Sequence, residues 1–215
     1  MAKIILDISA NTHKNNWDYL KKMLNELQKV DTGKHEIIIK HQLFKEAGQN
    51  IPLEHELFYY AYDYAKELGY KTTSSVFDKK SLDFLLKFDV PFVKIANNRK
   101  LDWLIGEIPR KIPVYVSCGN YKEYDNANNG FNLIRMACIS KYPASIKDYE
   151  NNFIYGSDYE GEYIQYGIIS DHTINFDLWH KYKPRIIEWH YGLEDSTGLD
   201  AGPFMRTPTM LAEVL

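Results

Sequence analysis

Only two cysteines, Cys118 and Cys138, occur in 215 residues, each at the end of its own apolar run and not in a closely spaced pair. That arrangement argues against a disulfide framework or a cysteine zinc site and predicts two buried free thiols. Long apolar runs are missing as well. None approaches the thickness of a bilayer, and "MAKIILDIS" opens on a strand pattern where a signal peptide would carry its apolar core. A cytoplasmic protein with no membrane partner is expected. An excess of either charge is lacking: 26 basic residues nearly balance 29 acidic ones, and a formal net charge of -3 gives no electrostatic reason to expect nucleic acid. No linker, internal repeat or low-complexity tract is visible. With 45% hydrophobic residues the chain can bury one good core but not two comfortable ones, so residues 1–215 are expected to form a single domain.

What is present is alternation. Eight short runs have strand character: "KIILDIS", "EIIIKHQ", "YKTTSSVF", "PFVKIAN", "IPVYVSC", "NLIRMACIS", "YGIISD" and "RIIEWHYG". Helical patterns stand between them: "NNWDYLKKMLNELQKV", "LEHELFYYAYDYAKELG" and "KKSLDFLLKF". In the first, Trp17, Leu20, Met23, Leu24 and Leu27 recur at spacings of three and four and make one apolar face. The second ends on Gly69, a helix-terminating residue. Several strand runs are apolar without strict alternation, as in parallel strands covered on both faces. Such a series suits either a closed (β/α)8 TIM barrel or an open doubly wound sheet. No glycine-rich phosphate loop follows the first strand, which weakens the nucleotide-binding open sheet and favours the barrel. The stretch around 145–165, "SIKDYENNFIYGSDYEGEY", shows no clear amphipathic helix and reads as a short helix or an irregular replacement for one. "TPTMLAEVL" has a helix start and then ends, so the last helix is expected to be short or truncated.

Nearly every strand run ends on polar side chains. In a barrel, those ends share one rim, where catalytic groups collect. His172 and His190 close the seventh and eighth strands, neighbours in a barrel, and two imidazoles so placed can reach one divalent ion. Asp171 and Glu188 are near enough to act as ligands or to orient the imidazoles. The plainer alternative is that both histidines simply hydrogen-bond in the barrel mouth. His13, His41 and His180 lack such pairing. Lys40 and Lys94 follow β-branched or aromatic residues and should point inward, where an ammonium without an anion is costly. With the hydroxyls of Ser117, Ser140 and Ser170 they would bind a phosphate or carboxylate, unless both snorkel to solvent.

Quoted in order, "KIILDISAN", "KHQ", "TSSVFD", "PFVKIAN", "IPVYVSCG", "CISKYPAS", "GIISDHT" and "IIEWHYGL" resemble the sialic acid synthase family over almost the whole chain. The resemblance implies a (β/α)8 barrel that condenses phosphoenolpyruvate with an N-acetylated sugar aldehyde, N-acetylmannosamine or a related aldose, and releases phosphate. By the same resemblance His172 and His190 hold a divalent metal, manganese or magnesium. Lys40, Lys94, Ser117, Tyr142 and Ser170 fall where the family binds phosphoenolpyruvate. Gln42, Ser75 and Glu188 fall near the reacting sugar carbons, and Asp200 matches an aspartate that positions the sugar. Asp171 and Thr173 hold the loop. A homo-oligomer is compatible with this family.

The sequence also departs from the family pattern. Asp7, Ser9, Asn11 and Thr12 stand where the first strand usually ends in glutamate and glycine, then asparagine and histidine. Asp7 keeps the charge but is one methylene shorter, and misplacement by about 1 Å can cost 10²-fold in rate. Asn97 replaces a serine, Ser140 an asparagine and Ser75 a threonine. The resemblance covers the barrel only, without the antifreeze-protein-like C-terminal domain of bacterial members. Two other readings therefore stay open: a catalytically impaired barrel that binds a sugar or anionic metabolite without turnover, and a metal-dependent isomerase or aldolase.

Overall fold

Eight strands pair in parallel, each with the next and β8 with β1, to close a barrel in the computed structural model. The structure describes residues 1–44, 48–120, 132–153 and 167–215. The strands are β1 (Lys3–Asp7), β2 (Glu36–Leu43), β3 (Lys71–Val76), β4 (Val93–Ile95), β5 (Val114–Cys118), β6 (Leu133–Cys138), β7 (Ile168–Asp171) and β8 (Ile186–His190). Every run read as a strand from sequence contains one of them. This is a (β/α)8 TIM barrel, and the open doubly wound sheet is ruled out.

Side chains alternate between the two faces of each strand, and in a closed barrel one face is the interior. Ile5, Ile38, Phe92, Tyr115 and Met136 fill that interior as an apolar plug, with Phe92 and Tyr115 stacked at 4.0 Å. The opposite face of the same strands, including Ile4, Leu6, Ile37, Ile39, Val114 and Val116, packs under the helices as the main core. Two residues beyond the plug toward the C-terminal strand ends, the interior turns polar. Asp7 lies in register with Lys40 on one side and with His190 on the other, Ser75 with Lys94, and Ser170 with Glu188.

The helices follow local signals. After β1, Ser9 caps a single turn, α1 (Ala10–His13), by accepting from the Asn11 N–H. In α2 (Trp17–Val30) the side chain of Asn16 caps Tyr19 N, and Leu20, Met23, Leu24 and Leu27 are buried as their spacing predicts. In α3 (His55–Glu67) Leu57, Phe58, Ala61 and Ala65 are buried, and the helix stops before Gly69, whose φ of +90° suits glycine alone. Asp78 caps α4 (Lys79–Leu85). A 3-10 helix spans Arg99–Glu107.

The described part of the stretch around 145–165 takes the form of a short helix, one of the two readings of its sequence. It contains α5 (Ile146–Phe153), which buries Tyr149 and Phe153 one turn apart. Ser145 and Asp148 exchange side-chain bonds to each other's backbone N–H in a reciprocal cap, a signal present in "SIKD". Residues 154–166 lie outside the described segments. After β7 comes α6 (Asp177–Tyr182), and the chain closes with α7 (Pro208–Leu211), proline at its first turn. Cys118 and Cys138 are free and buried. No helix among the described residues is long and apolar enough to cross a membrane.

Candidate active site

The polar layer above the plug opens into a cavity of about 420 Å³ at the C-terminal ends of the strands. Fourteen of the residues singled out from sequence line it: Asp7, Lys40, Gln42, Ser75, Lys94, Asn97, Ser117, Ser140, Tyr142, Ser170, His172, Glu188, His190 and Asp200. Another cavity, of about 410 Å³ and bordered by Leu133, Arg135, Phe153 and Arg185, has no carboxylate or imidazole among its described lining residues. The first brings carboxylates, ammoniums and imidazoles together.

Lys40 and Lys94 point inward and are 2% and 3% exposed, so neither snorkels. The anion that their burial demands is, however, the protein's own. Lys40 Nζ is 2.8 Å from Asp7 Oδ2 and 3.9 Å from Glu188 Oε2, and it donates to Ser75 Oγ at 3.0 Å. Lys94 Nζ donates to Ser117 Oγ at 2.7 Å and lies 3.6 Å from Glu188 Oε1. Ser170 Oγ donates to Glu188 Oε1 at 2.8 Å, and Gln42 Nε2 donates to Asp7 Oδ2 at 3.0 Å. Two ammoniums thus share two carboxylates. Burial alone would raise the Glu188 pKa, but Lys40, Lys94 and the Ser170 hydroxyl bring it down to about 2. Burial also works against the Lys40 ammonium, yet Asp7 and Glu188 outweigh it and raise its pKa. Both groups are charged at neutral pH.

Three buried polar atoms of this layer have no hydrogen-bond partner among the described residues: Asp7 Oδ1, Glu188 Oε2 and His190 Nδ1. Buried polar groups are normally satisfied, so these are the atoms on which a bound ligand gains most.

The imidazoles of His172 and His190 lie 5.3 Å apart between ring centres. His172 Nδ1 is 2.7 Å from the carbonyl oxygen of Ile139. A carbonyl only accepts, so Nδ1 carries the proton and Nε2 keeps its lone pair. Burial, then the neighbouring His190, pushes the His172 pKa to about 3, which leaves the ring neutral. His190 Nδ1 is 3.5 Å from Asp200 Oδ1 and 3.9 Å from Asp7 Oδ2. Asn11 Nδ2 donates to Asp200 Oδ2 at 2.7 Å and to Asn50 Oδ1 at 2.8 Å, which fixes the carboxylate at the rim. Tyr142 is half exposed and packs on His172 at 4.2 Å, edge-on to Phe204 at 5.0 Å. Asn97 Nδ2 donates to Ser140 Oγ at 3.0 Å.

One reading is corrected. Asp171 is neither a ligand nor an imidazole partner, because it sits between inward Ser170 and His172 and so faces away from the cavity. Its Oδ2 accepts from Trp189 Nε1 at 2.9 Å and lies 3.2 Å from Arg206, and its Oδ1 accepts from Thr173 N at 2.8 Å. Asn50, Phe77, Cys138, Leu199 and Phe204 also line the cavity and were not singled out from sequence. Most are loop or apolar residues with no polar strand-end signal.

The family model described as the NeuB family matches residues 14–203. The chain belongs to the NeuB family. An uncharacterized protein of Methanocaldococcus jannaschii, MJ1065, is 32% identical over 129 residues, 55% of this chain and 38% of that protein. The chain thus spans well under two thirds of that relative's length. The crystal structure of the N-acetylneuraminic acid (sialic acid) synthetase of Leptospira borgpetersenii superposes with a TM-score of 0.76 at 20% identity, covering 98% of this chain and 80% of that one. A putative spore coat polysaccharide biosynthesis protein E of Chromobacterium violaceum gives 0.75 at 17% identity, over 99% of this chain and 72% of the other.

In this NeuB-family barrel the fit of a divalent cation rests on the donors present. Among the described residues no three histidine, cysteine, aspartate or glutamate side chains close around one point. His172 and His190 offer two nitrogen donors, with His172 in the right tautomer. That donor set fits an open site completed by water or substrate oxygen, and it suits manganese better than magnesium, which prefers oxygen ligands.

Proposed function

We propose that this chain is a sialic-acid-synthase-like enzyme that joins phosphoenolpyruvate to the aldehyde of an N-acetylated sugar, N-acetylmannosamine or a related aldose. The observation that carries the reading is the convergence of Lys40, Lys94, Glu188, His172 and His190 on one cavity at the barrel mouth. Lys40 and Lys94, with Ser75, Ser117 and Ser170, receive the phosphate and carboxylate of the enolpyruvate. Gln42, Asp7 and Asp200 face the aldose, and Tyr142, Ser140 and Asn97 line the outer wall. His172 and His190 would hold a divalent cation, which would supply Lewis-acid polarisation at the aldehyde.

The electron pair of the enol C2=C3 bond forms the new C–C bond at the aldehyde carbon, whose oxygen takes up a proton and becomes a hydroxyl. Water adds at C2 and gives up two protons in turn, one balancing the proton taken up by the aldehyde oxygen and one to the departing phosphate, as the C2–O bond breaks to leave inorganic phosphate and a 2-keto acid. Glu188, ionised and with no hydrogen-bond partner on Oε2 among the described residues, offers a fixed negative charge to the cationic carbon that develops at C2. The partners are small molecules of the cytoplasm, with no nucleic acid or membrane.

A second reading, a barrel that binds a sugar or anionic metabolite without turnover, is favoured by one observation. Asp7 is drawn into an ion pair with Lys40 at 2.8 Å and competes with any incoming anion. A metal-dependent isomerase or aldolase would instead show activity with no phosphoenolpyruvate present. The test is phosphate release from phosphoenolpyruvate with manganese or magnesium and a panel of N-acetylhexosamines and simple aldoses. Metal- and aldose-dependent release is expected. Silence across the panel, with phosphoenolpyruvate still raising the Tm, would select the binding protein.

A further inference from the structure

We infer that Arg206 is a positioning residue that sets the separation of the His172 and His190 imidazoles, its side chain holding the residues on both sides of His172 and its backbone holding the carbonyl of His190. The inference rests on the reading of these histidines as a cation site, but its geometry stands without it. Arg206 is wholly buried and lines no part of the cavity. Its guanidinium reaches the β7 loop: Nη1 donates to the carbonyl of Thr173 at 2.9 Å, and Nη2 donates to that of Asn175 at 2.7 Å. Nη2 is also 3.2 Å from Asp171 Oδ2, the same oxygen that accepts from Trp189 Nε1 at 2.9 Å. His172 thus stands between two residues held by one side chain. On the β8 side Arg206 acts through its backbone, its N–H donating to the carbonyl of His190 at 2.7 Å. The plane of the guanidinium lies over Trp189, with 5.8 Å from its carbon to the ring centre.

The chemistry of arginine explains the choice. One rigid fork carries several donors at fixed angles, and its charge is permanent. A buried cation is retained without penalty only if a carboxylate and further acceptors surround it, and Asp171 with the loop carbonyls does this. A lysine has one nitrogen, which cannot reach Asp171, Thr173 and Asn175 together. Partners that orient metal-binding histidines characteristically change metal affinity by tenfold or more when lost.

The experiment compares wild type, Arg206→Lys and Asp171→Asn in two ways: Mn²⁺ titration followed by electron paramagnetic resonance, and crystal structures read for the His172–His190 ring separation, 5.3 Å in the intact clasp. Expected is a loss of affinity of about tenfold in both variants, with the rings displaced and the remaining strands unmoved. Asp171→Asn keeps a side-chain oxygen for Trp189 and tests the clasp if Arg206→Lys does not fold. Wild-type affinity with undisplaced rings in either variant overturns the inference. If wild type itself binds no Mn²⁺, the cation reading fails, and ring displacement alone decides the clasp.

Discussion

Acid should unfold this protein through two histidines that take no part in the site. His13 is 2% exposed and His41 is fully buried. Neither ring nitrogen of His13, nor Nε2 of His41, has a hydrogen-bond partner among the described residues. Burial pushes the His13 pKa from 6.5 to about 4 and that of His41 to about 3, the latter with help from His13 itself. Because both folded-state values lie below the unfolded value, the unfolded chain binds more protons in the window between them. The stability these rings contribute is complete above pH 6.5 and is lost as pH falls toward 4 and 3. At pH 5 the linkage amounts to about 2 kcal/mol for each ring relative to pH 8, or about 4 kcal/mol for the pair. That is a large part of the 5–15 kcal/mol typical of a domain. Urea unfolding followed by circular dichroism at pH 8, 7, 6 and 5 measures it. His41→Phe, beside Phe58, combined with His13→Leu, should remove about two thirds of the slope, because buried His172, also held near 3, contributes a similar share. Equal wild-type stability at pH 8 and pH 5, or an unchanged slope in the double variant, would refute the reasoning.

Chelation should weaken phosphoenolpyruvate binding: the described charged lining holds two lysines against Asp7, Glu188 and Asp200, so a multiply charged anion enters a cavity of slightly negative balance unless a cation is present. The Tm rise caused by phosphoenolpyruvate should shrink on adding EDTA and return with manganese. Asp7→Asn should tighten phosphoenolpyruvate by several-fold, because the competitor 2.8 Å from Lys40 loses its charge, while aldose-dependent turnover falls; weaker phosphoenolpyruvate binding by calorimetry would contradict this. Gly198 has φ +113°, and a Cβ there would lie 2.3 Å from the carbonyl oxygen of Asn11. Gly198→Ala should therefore cost about 1–3 kcal/mol and disturb Asp200, raising the KM for the aldose more than that for phosphoenolpyruvate.

The legible part of the molecule was the part governed by strand periodicity. Asp7, Lys40, Ser75, Lys94, Ser117, Ser170 and Glu188 end up inside because each sits at an even offset from an apolar residue of the plug or at a register position beside one that does. The same rule, applied strictly, turns Asp171 outward between Ser170 and His172. What stayed hidden was set by tertiary context. Tyr149 and Phe153 are the only buried residues of a short acidic helix, too few for a periodic signal. Arg206 lies beyond the last strand in a loop, and nothing in "GPFMRTP" shows that its guanidinium returns to β7. Asn50, Leu199 and Phe204 reach the cavity because loops fold over its mouth, a matter of chain path and not of local pattern.

Charge in the polar layer does not serve the fold. Desolvating two ammoniums and two carboxylates costs several kcal/mol for each ion, and their mutual attraction only about offsets this. The stabilising apolar area lies elsewhere, in the plug around Phe92 and Tyr115 and in the shell of Ile4, Leu6, Ile39 and Val116 beneath the helices. A barrel needing only stability would continue its plug upward with aliphatic side chains. Lys40, Lys94 and Glu188 instead stand where the plug ends, held by Ser75, Ser117 and Ser170, with Glu188 Oε2 and Asp7 Oδ1 left without hydrogen-bond partners among the described residues. Fixed charges already oriented at a cavity need no reorganisation when an anion and its reacting carbon arrive. That arrangement costs the folded chain stability and benefits a reaction.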